Sequence, residues 1–474
     1  MPQWVYDFFQ FKKNGADLKH EILAALTIYL SMVYVVFTIP TLLIRAFPGA
    51  LDEHGAILYD AIVYGVPVST LLSSLVIVTC LSAGFGTLLL AFYTRLPFAM
   101  APSLSLCIFI TYYLCIESSY TYFEALAAIF ISGIVFLFVS LMGWRKIIIH
   151  AIPKNLRYSI TAGLGFFLAF TGLQRAGIIM ANQYTLIGLN SFRDFSDLYT
   201  RNAILTIAII VLVVAMIKKN MPAPIMVGKL ICIAVAIPLG LDKMKGTIPY
   251  GESFTITPLL FKMDFAGFIG PSLSSFPVFF DKFIMVILSI TLIEIFESIG
   301  TLVGSGYKID LLDKELHYNQ LSKAMNADAL ATVGGSFIGT PAVSLYAESA
   351  VGVFENGKTG FTALIAGMLF LLTSFFAPYV NLIPPAATAS TIIVIGAYMM
   401  NTLTLMKFED FSDFIPCFFI MIMIPLTYSI TTGIAFGLIT HTLIYLLTGR
   451  YKEVHPILYV LSVMFCLYFV FLPW

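Results

Sequence analysis

The sequence predicts an all-α polytopic membrane protein with about fourteen transmembrane segments in two inverted repeats of seven. Three observations predict it. Of 474 residues, 59% are hydrophobic and only 11% charged, against about a quarter charged in soluble domains. The apolar runs are each close to the ~20 residues that cross hydrocarbon, and short polar joints separate them. Two motifs recur in the same order at an offset of roughly 235 residues, which marks an internal repeat. The ~10-residue alternation of a membrane barrel is absent.

Residues 1–19, "MPQWVYDFFQFKKNGADLK", are amphipathic and lack a signal-peptide core, so they are expected to lie on the cytoplasmic membrane surface. The first repeat, 20–240, holds apolar segments at 20–43, 64–92, 98–115, 121–143, 156–180, 202–217 and 223–240. A polar loop at 241–280 is assigned to the outer side. The second repeat, 281–448, holds segments at 281–304, 322–338, 343–355, 360–378, 387–405, 411–428 and 431–448. Residues 449–474 form a C-terminal hydrophobic segment, read as a helix at the interface or against the bundle rather than a further crossing.

Alternate joints carry the cations: Lys12, Lys13 and Lys19; Arg95; Arg145, Lys146, Lys154 and Arg157; Lys218 and Lys219; Lys308, Lys314 and Lys323; Lys407; Arg450 and Lys452. The positive-inside rule then puts both termini in the cytoplasm. Net charge is zero, so nucleic acid is not an expected partner. Six scattered cysteines without CxxC argue against a disulfide framework or a zinc site. The histidines, His20, His54, His150, His317, His441 and His455, lack partners at metal or catalytic spacing. "FENGKTG" (354–360) lacks the full phosphate-loop spacing and reads as a turn. Neither an enzyme nor a cofactor site is indicated.

The repeat shows at two places. "APSLSLC" (101–107) and "TPAVSLY" (340–346) share P-x-x-S-L, which aligns Pro102 with Pro341 and Ser105 with Ser344. "IPKNLRYSITAGLG" (152–165) and "IPPAATASTIIVIG" (383–396) share Ile-Pro, then serine, then glycine at equal spacing. Seven is odd, so the second copy is upside down, as in secondary transporters. Segments 3 and 10 are short, open with proline and follow "YTRLPFAMAP" and "VGGSFIGTP". A helix that starts inside the membrane directs free N–H groups and a positive dipole end into the protein, which makes a polar site.

Carboxylates inside a membrane are costly and mark function. Glu294 and Glu297 lie three apart in segment 8, with Thr301 four further on, on one predicted face. Glu348 lies in segment 10, and Asn326 and Asp328 enter segment 9. Two close carboxylates in low dielectric do not both ionise readily, so one is expected to hold a proton that comes and goes with substrate. Phe296 and Tyr346 are candidates to stack on a flat ligand.

The residues resemble the AzgA-like adenine/guanine/hypoxanthine permeases, a branch of the nucleobase–cation symporter family that includes xanthine and uracil permeases. The resemblance runs through "EILAALTIYLSMVYVVFTIP" (21–40), "ITAGLGFFLAFTGLQRAGII" (160–179), "IFESIGTLVG" (295–304), "PLTYSITTGIAFG" (425–437) and a long block at 326–384 around "GTPAVSLYAESAVGVFENGKTG". It implies a core domain of segments 1–4 and 8–11 and a gate domain of segments 5–7 and 12–14. It implies import of hypoxanthine, guanine and adenine by proton symport and an elevator-type movement, in the plasma (inner) membrane. The partners it implies are a purine base, protons, the bilayer and a second copy of the chain. The alternative is a same-fold permease for xanthine, uracil or a modified base, and further off an inorganic anion transporter. Matched residue by residue, Glu297 and Glu348 are the acids that bind the base, with Ser103, Ser105, Cys107, Thr301, Tyr346, Ala347 and Ser349 around them. Glu297 and Glu294 are the proton-coupling candidates. The chain departs from the family's A-P-G-M-G-L-N-A at "APSLSLCI" (101–108): Ser103 and Ser105 replace glycines, and Cys107 replaces asparagine. Glu294 and Glu297 replace aspartates, and Ile39 stands for an asparagine.

Overall fold

A computed structural model describes residues 3–50, 57–59, 61–142, 151–182, 184–219, 221, 224–241, 255–272, 280–306, 315–380, 384–407 and 411–471. Arg145, Lys146, Lys308, Lys314, His54, His150 and half of the 241–280 loop lie outside these residues.

The fourteen segments form in the predicted order. Hydrocarbon offers no water to the backbone, so an apolar run satisfies its own N–H and C=O groups by coiling. Segment 1 is Leu18–Met32 and Val35–Leu43; segment 2 is Val68–Thr94. Segment 3 is Leu104–Ile108 followed by a π-helical Phe109–Glu117. Segments 4 to 7 are Tyr122–Leu141, Lys154–Ala176, Leu198–Lys218 and Pro224–Ala236. Segments 8 and 9 are Val286–Gly306 and Glu315–Ile338. Segment 10 is a single 3₁₀ turn, Ala347–Ser349, and then Ala350–Phe354. Segments 11 to 14 are Gly360–Val380, Pro385–Met399, Phe411–Thr427 and Ile430–Leu447. Among the described residues, seven helices are long and apolar enough to cross a membrane unaided.

Local chemistry sets the ends. Segment 2 starts four residues later than its apolar run because Ile62–Val63 (β1) pairs with Val66–Pro67 (β2) around Tyr64 and Gly65, both at positive φ. Segment 5 stops at Ala176, short of 180. Gly177 takes φ 73 there and caps the last turn through its N–H. The 354–360 turn is held from outside: the Glu21 carboxylate accepts from the N–H groups of Lys358, Thr359 and Thr362. An acid at this position satisfies the orphan donors at the start of segment 11.

The packing comes in equivalent pairs. Segment 2 lies on 11 as 9 lies on 4, and segment 13 packs on 5 and 14 as segment 6 packs on 12 and 7. Segments 2 and 9 pack on each other, as do 5 and 12. Segments 1–4 and 8–11 thus form one set and 5–7 and 12–14 another. Segments 5 and 12 cross where the shared glycine motif put Gly165 and Gly396. A Cβ on Gly165 would lie 2.6 Å from the Gly396 carbonyl oxygen, and one on Gly396 would lie 2.4 Å from that of Gly165.

The broken segments meet backbone to backbone. Met100–Pro102 (β3) runs antiparallel to Val343–Leu345 (β4), with Ala101 opposite Ser344. The Ser103 N–H donates to the Ala342 carbonyl at 2.9 Å, and the Tyr346 N–H donates to the Ala99 carbonyl at 3.1 Å. These two bonds exchange under a two-fold, so Ser103 corresponds to Tyr346 and Ser105 to Glu348. The P-x-x-S-L alignment is therefore out of register by four residues. Pro102 ends its strand, whereas Pro341 precedes its own. Non-helical backbone is tolerated at this depth because each strand satisfies the other.

The C-terminal helix, Pro456–Phe471, packs on segment 14. It buries Leu458, Leu461, Phe465 and Tyr468 and leaves Val460, Val463 and Val470 exposed.

Candidate functional site

The strand pair fixes where segments 3 and 10 begin their helices, and segment 8 passes across both. Ser103 is the N-cap of segment 3, and its Oγ accepts from the Leu106 N–H at 3.3 Å. The same hydroxyl donates to Glu297 Oε2 at 2.6 Å, and Ser105 Oγ donates to Glu297 Oε1 at 3.3 Å. The two serines that depart from the family pattern are thus the partners of the longer acid. Glu348 accepts from the Tyr34 hydroxyl at 2.7 Å. The Arg175 guanidinium lies over the Tyr34 ring, 3.3 Å from its centroid, close enough for a cation–π contact.

Ser105, Glu297, Glu348, Tyr34 and Arg175 line one small cavity of about 40 Å³, with Tyr346, Tyr428 and Thr301 also in its wall. That volume admits about two or three waters but not a two-ring heterocycle. A second cavity of about 370 Å³ adjoins it along segment 3, lined by Ser105, Ile108, Tyr112, Glu117, Tyr428 and Tyr468 among others. Ser105 and Tyr428 belong to both walls, and Ser105 Oγ lies 3.5 Å from the Tyr428 carbonyl oxygen. Tyr428 joins segments 13 and 14 at φ 53. Its ring is held edge-on by Phe167 and Phe170.

Removal of the Ser103 hydroxyl takes away an N-cap worth about 1 kcal/mol and a charge-assisted bond worth about 1.5–3 kcal/mol. Purified Ser103→Ala should therefore melt at a lower temperature than the parent. An unchanged melt would show that Glu297 does not depend on this donor.

The model of the permease family of xanthine and uracil carriers matches residues 19–436. The chain belongs to the xanthine/uracil permease family. It is 32% identical to the guanine/hypoxanthine permease PbuG of Bacillus subtilis, over 98% of this chain and 99% of that one. It is 31% identical to the adenine permease AdeQ of Escherichia coli, over 97% and 94%. It is 30% identical to the guanine/hypoxanthine permease PbuO of B. subtilis, over 96% and 98%. The protein is a multi-pass membrane permease, a transporter and not an enzyme.

In this permease, Glu297, Glu348, Ser105, Thr301, Tyr346 and Ala347 all reach the small cavity, and Ser103 stands directly behind Glu297. Other predicted residues do not reach it. Cys107 is wholly buried in the core, outside the cavity wall, one turn into segment 3 with its N–H on the Ser103 carbonyl. Ser349 anchors backbone: its Oγ accepts from the Ala99 N–H at 2.9 Å and lies 3.3 Å from the Ala99 carbonyl oxygen. Phe296 packs against Phe465 of the C-terminal helix, ring centres 4.7 Å apart, and is in neither cavity wall. Glu294 is fully buried and accepts from Ser132 of segment 4 at 3.3 Å. Three residues advance a helix by 300°, so Glu294 and Glu297 point about 60° apart. Ser298 of segment 8 donates to Asp328 of segment 9, and Ser140 of segment 4 donates to Asn326. Both predicted segment 9 groups thus serve core packing.

Arg175, Tyr34, Tyr428 and Phe167 were not legible as site residues. Arg175 carried a signal, since it is a lone cation in the apolar run "AFTGLQRAGII" (169–179). The aromatic residues carried none in a chain with 42 phenylalanines and 24 tyrosines.

Proposed function

We propose that this permease imports purine nucleobases by proton symport, by alternating access of segments 1–4 and 8–11 against segments 5–7 and 12–14. The observation that carries the reading is the convergence of Glu297 and Glu348 on one cavity, each held by a hydroxyl donor. A carboxylate accepts from adjacent ring and exocyclic N–H groups, and such charge-assisted bonds are strong. The tyrosine rings of the cavity supply flat apolar walls for a heterocycle. Relatives named for guanine, hypoxanthine and adenine transport support the choice of purines. Glu297 is the proposed proton carrier. Glu294, packed behind it, is proposed to assist by its charge state rather than by touching the base.

The two volumes suit alternating access. The larger cavity has the size of a ligand pocket, and the smaller opens when the Ser105–Tyr428 contact between the two sets of segments parts. We place the protein in the cell membrane with both termini cytoplasmic, on the distribution of cations between joints. Two carboxylates against one guanidinium disfavour an inorganic anion.

The test is uptake of radiolabelled hypoxanthine, guanine and adenine by cells expressing the permease, with and without a protonophore. Saturable uptake that collapses with the protonophore is expected. Surface expression without uptake of any purine would overturn the reading. Uptake that survives the protonophore would overturn the proton coupling alone.

A further inference from the structure

Arg175 stands at the last turn of segment 5, on the opposite set of segments from both site acids, yet it lines the same cavity. Its guanidinium carbon lies 3.3 Å from the centre of the Tyr34 ring, and the Tyr34 hydroxyl donates to Glu348. Cation, ring and carboxylate therefore form a continuous chain along one side of the cavity. The contact holds the guanidinium against the ring at the cavity wall, and a held fork loses little freedom when it binds. Its Nη1 is buried and has no hydrogen-bond partner. A buried charged donor without an acceptor is costly, so the site asks its ligand for an acceptor at this point.

We infer that Arg175 and the neighbouring carboxylate together read the 6-position of the purine and select 6-oxopurines over 6-aminopurines. The inference rests on the purine reading above and narrows it. A 6-oxopurine presents, in order along one edge, the N1–H donor, the O6 acceptor and the N7 acceptor. A carboxylate next to a guanidinium matches that order: the acid accepts from N1–H, and the fork donates to O6 and N7. Arginine makes this bidentate contact with guanine in nucleic-acid recognition, whereas glutamine and asparagine make the matching contact with adenine. A 6-aminopurine reverses the first two positions. It sets the N1 lone pair against the carboxylate and the amino hydrogens against the guanidinium. The mismatch at two adjacent charged groups supplies rejection as well as attraction.

The experiment is inhibition of tritiated hypoxanthine and of tritiated adenine uptake by the two unlabelled bases, in wild type, R175Q and R175K at matched surface expression. Thermal-shift titration of the purified proteins with the same bases runs in parallel. Wild type should favour hypoxanthine over adenine by about tenfold or more. R175Q should lower or reverse that ratio by about tenfold to a hundredfold, with adenine recognition kept or improved. R175K keeps the charge but not the fork, so it should lose most of the oxo preference, and it carries the test if R175Q does not fold. An unchanged ratio in folded variants, or an equal loss for both bases, would overturn the inference while leaving the purine reading intact. A wild type that neither transports nor is stabilised by any purine would sink the purine reading, and this inference with it.

Discussion

Glu297→Gln is expected to reduce purine uptake by roughly ten- to a hundredfold at unchanged surface expression, with Glu348→Gln close behind. The amide keeps the shape and removes the charge. It also turns one acceptor into a donor that faces the N–H groups of the base. A charge-assisted hydrogen bond contributes about 1.5–3 kcal/mol, and each 1.4 kcal/mol is a factor of ten. The two variants should differ in their second effect. Glu297 is the proposed proton carrier, so the residual uptake of Glu297→Gln should no longer respond to a protonophore. Residual uptake by Glu348→Gln should respond as the parent does. Uptake kinetics at several external pH values would check both. Wild-type rates in Glu297→Gln would remove this carboxylate from the mechanism.

The second large effect is expected at the crossing of segments 5 and 12. Gly396→Leu should yield little or no folded protein, and Gly396→Ala should melt well below the parent. A Cβ on Gly396 meets the Gly165 carbonyl oxygen at 2.4 Å and the Ala169 backbone nitrogen at 2.8 Å. Both are backbone atoms, so relief requires the helices to part. Overpacking of this kind costs about 1–3 kcal/mol or more. Gly270→Ala is the control, because nothing lies within 4 Å of its added Cβ. Thermal melts of the purified variants followed by size-exclusion chromatography decide the matter. A Gly396→Ala melt equal to that of Gly270→Ala would contradict the crossing.

The fold was legible where physics acts along the chain. Apolar runs had to become helices, and the matched glycines of 165 and 396 marked a real crossing, because only a bare backbone permits that approach. The acids were legible because their cost in a membrane needs a reason. Register was not legible at the broken segments. P-x-x-S-L repeats in the sequence, but the true equivalence of Ser103 with Tyr346 is set by strand pairing, and no motif encodes that pairing. The serines at 103 and 105 were visible as departures from the family. Their purpose was hidden until Glu297, almost two hundred positions away in the chain, came to lie against them. Arg175 was missed for a related reason. It reaches the site from the other set of segments, where neither a broken helix nor a buried acid marks the sequence.

The strand pair between the two repeats also bears on how the chain is made. Segment 3 enters the membrane early in synthesis, carrying backbone groups at Ala99 and Ser103 whose partners belong to residues 342–346. Those partners emerge from the ribosome only after the greater part of the polypeptide. Until then the first half must shelter bare peptide groups inside hydrocarbon or hold that stretch near the surface. Assembly of the site is thus among the last events of biogenesis, and a chain cut short before segment 10 is a ready substrate for membrane quality control.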